Sequence, residues 1–184
     1  DFGWLPDNRS LWYLSEETGY SQLYVKPDSG AAKALTSGHF EASNVQWSPD
    51  AATAFFVCNR KWPGDYEVCA VPRDGGAIRE VTALDGVENY VLSPDGSRVL
   101  VTYSASYLPA QLALVPAAGG EARKLTDTRT AEFRARTWIE PQYVQVPSTH
   151  GAGAIWAKLY RPATLEPGRK YPVVMFVHGA GYLQ

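Results

Sequence analysis

The chain has 184 residues, of which 45% are hydrophobic and 20% charged, and its 17 basic and 19 acidic side chains leave a formal net charge of −2. This balance creates no strong positive field, so it argues against nucleic acid as a partner. The composition is that of a globular chain and excludes disorder. No apolar run approaches the roughly 18 residues of a membrane-spanning helix, and the first residues do not form a basic, apolar leader. We therefore expect no membrane span or signal peptide in this segment.

Three sequence markers recur with a period of about 44 residues. Each marker keeps its place in the order, and a shared period in three markers indicates a structural repeat. The first is a Pro-Asp turn, found at Pro6-Asp7, Pro49-Asp50 and Pro94-Asp95; the second is an apolar strand that ends at Pro27, Pro72 and Pro116; the third is an apolar-Thr pair that ends at Thr36, Thr82 and Thr126. The predicted repeats span residues 1–38, 39–84 and 85–127.

Each repeat is predicted to contain four short strands. In the second repeat these are 45–48, 53–58, 66–71 and 77–82, with Phe55 and Val57 on one face and Phe56 and Cys58 on the other. The Asp-Gly sequence at residues 74–75 suits a tight hairpin turn, since glycine adopts positive φ at little cost. Four strands in about 44 residues are typical of a β-propeller blade.

Three blades do not close a propeller, because closed propellers have about four to eight. We therefore expect residues 1–130 to be the last three blades of a larger propeller, and the chain to be a fragment. The fold class predicted for this part is mainly β.

Residues 131–184 lack the repeat and have a different character. Residues 143–146 and 155–160 are predicted to pair as a hairpin. The continuous apolar run Pro172–Val177 predicts a strand that is buried in a sheet covered by helices. That strand leads into His178-Gly179-Ala180-Gly181, a context in which α/β-hydrolases build part of an oxyanion hole. Glycines there let backbone N–H groups approach the substrate carbonyl. This part is predicted to be the incomplete start of an α/β-hydrolase domain.

The propeller repeats followed by this tail resemble the prolyl oligopeptidase family of serine peptidases, and within it the dipeptidyl peptidase IV branch. The segment from Leu14 to Tyr24 is similar to a Ser-Glu-Arg-Asp-Gly-(aromatic)-x-x-Leu-Tyr blade of that branch. The resemblance implies a parent protein that releases N-terminal dipeptides from short peptides through a Ser-Asp-His triad, without a metal or other cofactor. It also implies a homodimer located in the periplasm or secreted. The expected partners are the peptide substrate and the remainder of the same polypeptide.

The chain departs from the family pattern in two ways. It contains no G-x-S-x-G sequence, so the resemblance places the triad outside this chain, and we expect the fragment alone to be inactive. The oxyanion-hole region is assigned to His178, Gly179, Ala180, Gly181 and Tyr182. His178 stands where many relatives have tyrosine, so either backbone N–H groups take over that role or Tyr182 supplies a hydroxyl.

Other residues have simpler interpretations. Cys58 and Cys69 flank a predicted hairpin, where we expect two buried free thiols rather than a disulfide, because cross-strand bridges are strained. His39 and His150 have no third ligand nearby in the sequence, so no metal site is expected. The alternative function is a non-enzymatic, TolB-like binding propeller, which accounts for residues 1–127 but not for the tail.

Overall fold

The computed structural model describes residues 1–84, 86–151 and 153–177, and the chain divides into two units, 1–128 and 129–184. Three four-stranded antiparallel sheets follow one another along the first unit. Sheet 1 contains β1 (Phe2–Trp4), β2 (Ser10–Ser15), β3 (Gln22–Pro27) and β4 (Lys33–Ala34); sheet 2 contains β5 (Ala42–Trp47), β6 (Thr53–Cys58), β7 (Glu67–Pro72) and β8 (Arg79–Glu80); sheet 3 contains β9 (Val87–Leu92), β10 (Arg98–Ala105), β11 (Leu108–Pro116) and β12 (Arg123–Lys124). These sheets confirm the predicted propeller blades.

The fourth strand has two residues in each sheet, and in sheet 2 it is shorter than the sequence predicts. In sheet 2 only Arg79 and Glu80 pair, although residues 77–82 were expected to do so. The fourth strand has a neighbour on one side only, and a two-residue ladder suffices to end the sheet without a long exposed edge.

The two faces of the middle sheet pack against different neighbours. Phe55 and Val57 belong to the core that includes the buried residues of sheet 3, among them Val101. Phe56 and Cys58 belong to the core shared with sheet 1. The alternation predicted from the sequence is therefore correct, and its physical cause is that both faces of a middle sheet are removed from water.

The Pro-Asp turns between the first and second strands share one unusual position. The residue directly after the aspartate has positive φ in all three sheets: 54° at Asn8, 57° at Ala51 and 71° at Gly96. The aspartate stabilises the turn: Asp95 Oδ1 accepts bonds from the Ser93 hydroxyl and from the backbone N–H of Ser97. These bonds hold the pKa of Asp95 well below its usual range.

One hydrogen bond recurs where the chain passes from sheet to sheet. The backbone N–H of Ala42 donates to the carbonyl of Ser21, and that of Val87 donates to the carbonyl of Tyr66. The donors are 45 residues apart, as are the acceptors. The period seen in the sequence is thus also the period of the contacts between sheets.

The two cysteines form a disulfide, which corrects the expectation of free thiols. The strand register pairs Cys58 with Glu67 and Cys69 with Phe56, so the cysteines are diagonal neighbours on one face. Their Cα atoms are 6.0 Å apart, within the normal range for a disulfide. The sequence predicted that the two cysteines face each other directly, whereas the register offsets them by two residues.

The second unit contains a short helix and a hairpin among its described residues. The helix α1 (Ala131–Ala135) begins after Thr130, whose hydroxyl accepts the N–H of Phe133 as an N-cap. The predicted hairpin is present as β13 (Gln142–Pro147) and β14 (Ala154–Leu159). In the described part of the chain, no helix has the length and apolarity needed to span a membrane.

Candidate functional site

The proposed oxyanion-hole residues, His178, Gly179, Ala180, Gly181 and Tyr182, lie outside the described residues. The segment that leads to them differs from expectation. Residues 173–177 form no strand, and their side chains are 79–98% exposed. A strand of this kind is buried only where neighbouring strands and covering helices surround it. The sheet in the described second unit has only two strands, β13 and β14, so it offers no central, covered position of the kind predicted for this segment.

A buried polar side chain recurs in the third strand of every sheet, at the first residue of β3 and β7 and at the fourth residue of β11. These residues are Gln22, Glu67 and Gln111, each 1–2% exposed. The residue that follows each of them in the strand donates its backbone N–H to a threonine hydroxyl at 2.8–2.9 Å. The pairs are Leu23 with Thr36, Val68 with Thr82, and Leu112 with Thr126. The recurring threonines thus satisfy a strand N–H that the two-residue fourth strand leaves unpaired, and this N–H is buried in sheets 1 and 2.

Sheet 2 has a charged version of this arrangement. Glu67 accepts bonds from the Thr82 hydroxyl and from the N–H of Leu84. The ammonium of Lys61 lies 3.8 Å from Glu67 Oε1 and 3.3 Å from Asp65 Oδ2. Burial alone would lower the pKa of Lys61, but the surrounding carboxylates outweigh it and raise that pKa. The carboxylate of Glu67 is therefore fully bonded and fixed in place.

In sheet 1 the glutamine that corresponds to Glu67 keeps one polar atom unpaired. Gln22 Nε2 donates to the carbonyls of Gly38 and Phe40, while its buried Oε1 has no hydrogen-bond partner among the described residues. A cavity of about 300 Å³ adjoins it, lined by Thr18, Gln22, Tyr24, Ala34, Thr36, Ser37, Gly38 and His39. The cavity belongs to the face of sheet 1 that turns away from sheet 2, because Gln22 and Tyr24 alternate with Leu23, which packs towards sheet 2.

The first strands of sheets 2 and 3 are connected by side-chain hydrogen bonds. Gln46 bridges to β9 at two points: its Nε2 donates to the carbonyl of Tyr90 at 2.9 Å, and its Oε1 accepts the N–H of Leu92 at 3.0 Å. The Tyr90 hydroxyl donates to the carbonyl of Asn44 at 2.8 Å. On the solvent side of this connection, Asn44 Nδ2 donates to Asn89 Oδ1 at 2.7 Å.

Burial changes the acidity of Tyr90 in this connection. Its side chain is only 2% exposed, and desolvation raises the pKa of its hydroxyl strongly. The hydroxyl therefore remains a hydrogen-bond donor throughout the neutral and mildly alkaline range.

Sequence reasoning missed these polar residues, although their spacing was visible. Gln22, Glu67 and Gln111 are 45 and 44 residues apart, and Asn44 and Asn89 are 45 apart. Polar residues at the repeat period, in strands otherwise apolar, are the signal that could have found them. Among residues 1–84, 86–151 and 153–177, no three His, Cys, Asp or Glu side chains are grouped so that they could hold a metal ion.

Comparison with known proteins gives one family match. The family model described as "Dipeptidyl peptidase IV (DPP IV) N-terminal region" matches residues 2–110. A curated relative, the probable dipeptidyl-aminopeptidase B of Uncinocarpus reesii, is 22% identical to this chain over an aligned length of 203 residues. The alignment includes 97% of this chain. The match covers only 22% of that relative, so the chain spans about a fifth of its length.

Two solved structures are similar to this chain. The crystal structure of Porphyromonas gingivalis dipeptidyl peptidase 4 has a TM-score of 0.73 and 20% identity, covering 89% of this chain and 24% of that one. A structure from Agrobacterium tumefaciens described as TolB has a TM-score of 0.57 and 25% identity, covering 68% of this chain and 48% of that one. The first likeness supports the fold alone.

Proposed function

Because the chain belongs to the dipeptidyl peptidase IV N-terminal region family, we propose that the protein containing it is a serine peptidase that releases N-terminal dipeptides from short peptides. The observation that carries this proposal is the family match over residues 2–110, which spans sheets 1 and 2 and reaches into β11 of sheet 3. The dipeptidyl-aminopeptidase relative, matched over 97% of this chain, supports it further.

The proposed chemistry is acyl transfer. The serine of a Ser-Asp-His triad elsewhere in the longer polypeptide gives its proton to the histidine and attacks the scissile carbonyl; the C–N bond then breaks as the histidine returns that proton to the leaving amine. Either the backbone N–H groups at 178–182 or the Tyr182 hydroxyl donates to the developing oxyanion. One such donor is worth about 3–4 kcal/mol of barrier. The propeller restricts access to short peptides. In this proposal the present chain contributes three blades and the oxyanion scaffold, and by itself has no nucleophile.

The compartment and partners are part of the same proposal. We place the protein in the periplasm or outside the cell, and the Cys58–Cys69 disulfide supports this because disulfides persist in oxidising compartments. The proposed partners are a peptide substrate, the rest of the polypeptide and a second copy of the parent protein.

The test uses the full-length protein with glycyl-prolyl and alanyl-alanyl p-nitroanilides, each with a free or an acetylated N-terminus. We expect hydrolysis of free-amine substrates only, together with covalent labelling by a fluorophosphonate. The separate variants His178→Ala and Tyr182→Phe identify the oxyanion donor: a fall in kcat with Tyr182→Phe alone assigns the hydroxyl. If the full-length protein neither cleaves these substrates nor takes up the label, the peptidase proposal is wrong.

The alternative is a TolB-like binding propeller without catalytic activity. It is favoured by the likeness to the Agrobacterium tumefaciens structure, which covers 68% of this chain. The same assay separates the two functions, because a binding propeller gives no product and no covalent label.

A further inference from the structure

Asn44 and Asn89 occupy the same position in two successive repeats. They are 45 residues apart, each lies in the first strand of its sheet, and the register with the second strand shifts beside both of them. Such irregularities commonly re-aim a side chain next to a functional site. Asn44 lies within the irregularity of sheet 2, whereas Asn89 pairs with Thr102 and lies next to the irregularity of sheet 3.

The backbone at Asn44 is held in a conformation that side chains rarely adopt. Its φ is 48°, in the left-handed region, which asparagine tolerates better than most other non-glycine residues. Neighbouring side chains fix this conformation. Here the buried Tyr90 hydroxyl bonds the Asn44 carbonyl, and the Gln46 amide bridges the adjacent strand.

The two side chains present a complementary pair of hydrogen-bonding atoms to solvent. Asn44 Nδ2 donates to Asn89 Oδ1, which also accepts the N–H of Tyr90. Among the described residues, none bonds Asn44 Oδ1 or Asn89 Nδ2. An acceptor and a donor therefore lie beside each other on a rigid support, and this matches the N–H and C=O of a peptide backbone.

The location suits a ligand that passes along the centre of a propeller. Hydrogen bonds join β5 directly to β9, which makes the first strands the converging edges of sheets 2 and 3. In a propeller the converging edges surround the central channel. Asn89 is exposed and Asn44 is half-buried, so both amides are accessible from that side.

We propose that Asn44 and Asn89 form a subsite that binds the main chain of an extended peptide through paired amide hydrogen bonds. This proposal rests on the proposed peptidase function, since it takes peptide as the ligand, and it adds a contact within the propeller. The pair forms hydrogen bonds with the main chain of the peptide and not with its side chains, so it provides affinity for peptides of many sequences.

The test is binding of an acetylated and amidated hexapeptide of alternating alanine and serine to the full-length protein, measured by titration calorimetry. The main variant is Asn44→Gly, because glycine accepts φ of 48° and removes only the amide side chain. The matched control is Asn8→Gly, the same change at φ of 54° in the first turn of sheet 1. Thermal melting verifies that both variants remain folded.

We expect Asn44→Gly and Asn89→Ala to weaken hexapeptide binding roughly two- to tenfold, the value of a hydrogen bond of 0.5–1.5 kcal/mol, and Asn8→Gly to leave it unchanged. Hydrolysis of a dipeptidyl anilide, measured with the same variants, should not change, because this substrate has no extended main chain for the pair to bind. Equal hexapeptide affinity in wild type and Asn44→Gly overturns the subsite, even when the anilide is cleaved. Absence of anilide cleavage with the affinity difference intact instead counts against the peptidase function and leaves the subsite standing.

Discussion

The hydroxyl of Thr82 donates to the buried carboxylate of Glu67 and at the same time accepts the backbone N–H of Val68. One side chain thus satisfies a strand N–H and holds a buried charge in place. Sheet 3 repeats the arrangement with Thr126 and Gln111. The free energy of unfolding should therefore be sensitive to a single hydroxyl group.

Thr82→Val keeps the shape of the side chain and removes that hydroxyl. We expect it to lower the free energy of unfolding by about 1–3 kcal/mol, because a buried N–H and a buried carboxylate each lose a partner. The measurement is urea denaturation followed by tryptophan fluorescence, with Thr18→Val at an exposed position as the control. Equal midpoints for the two variants would contradict the role given to Thr82.

The Cys58–Cys69 disulfide should stabilise sheet 2. Replacing both cysteines with alanine is expected to cost roughly 3 kcal/mol, since the bridge restricts the unfolded chain. Urea denaturation with and without reductant checks this: reductant should lower the midpoint of wild type and leave the double variant unaffected. Two titratable thiols in the denatured, unreduced protein would show that the disulfide does not form.

Asp95 should make stability dependent on acid pH. Bonds from Ser93 and Ser97 depress its folded pKa below the unfolded value of about 3.9. The stabilisation is therefore complete above that unfolded value and is lost as the pH falls towards the folded pKa. Asp95→Asn should lower the urea midpoint at pH 7 and flatten its fall below about pH 5.

The control for this prediction is Asp28→Asn, at an exposed aspartate whose carboxylate accepts no hydrogen bond from the described residues. It should keep the midpoint at pH 7 and the acid dependence of wild type. If Asp95→Asn shows the wild-type pH profile, the turn bonds do not contribute to stability.

Tyr90→Phe removes the hydroxyl that links β9 to the Asn44 carbonyl. We expect a loss of about 1–2 kcal/mol, because the ring stays buried and one hydrogen bond is lost. Tyr20→Phe is the comparison, since it keeps the ring that stacks on His39 at 5.3 Å between centroids. Chemical denaturation of both variants distinguishes them, and equal midpoints would mean that the Tyr90 bond is dispensable.

The arrangement of strands could be predicted well from the sequence because it depends on local patterns. The Thr53–Cys58 strand and its two faces follow from alternation, and the turns follow from Pro, Asp and Gly at fixed positions. The hairpin at β13 and β14 follows from the same signals. Residues 173–177 show the limit of this reasoning: an apolar run indicates a strand only where a sheet exists for it to join.

The repeat, its period and the mainly β blades follow from the amino-acid sequence, since they depend on residue spacing and on the burial of apolar side chains. The contacts between distant polar atoms follow from the folded arrangement of the sheets. The disulfide depends on the register of β6 and β7, which offsets the two cysteines by two residues. The Asn44–Asn89 hydrogen bond depends on the packing that brings the first strands of sheets 2 and 3 together. The spacing of residues along the chain does not specify these contacts, because they arise from the packing of one sheet on the next.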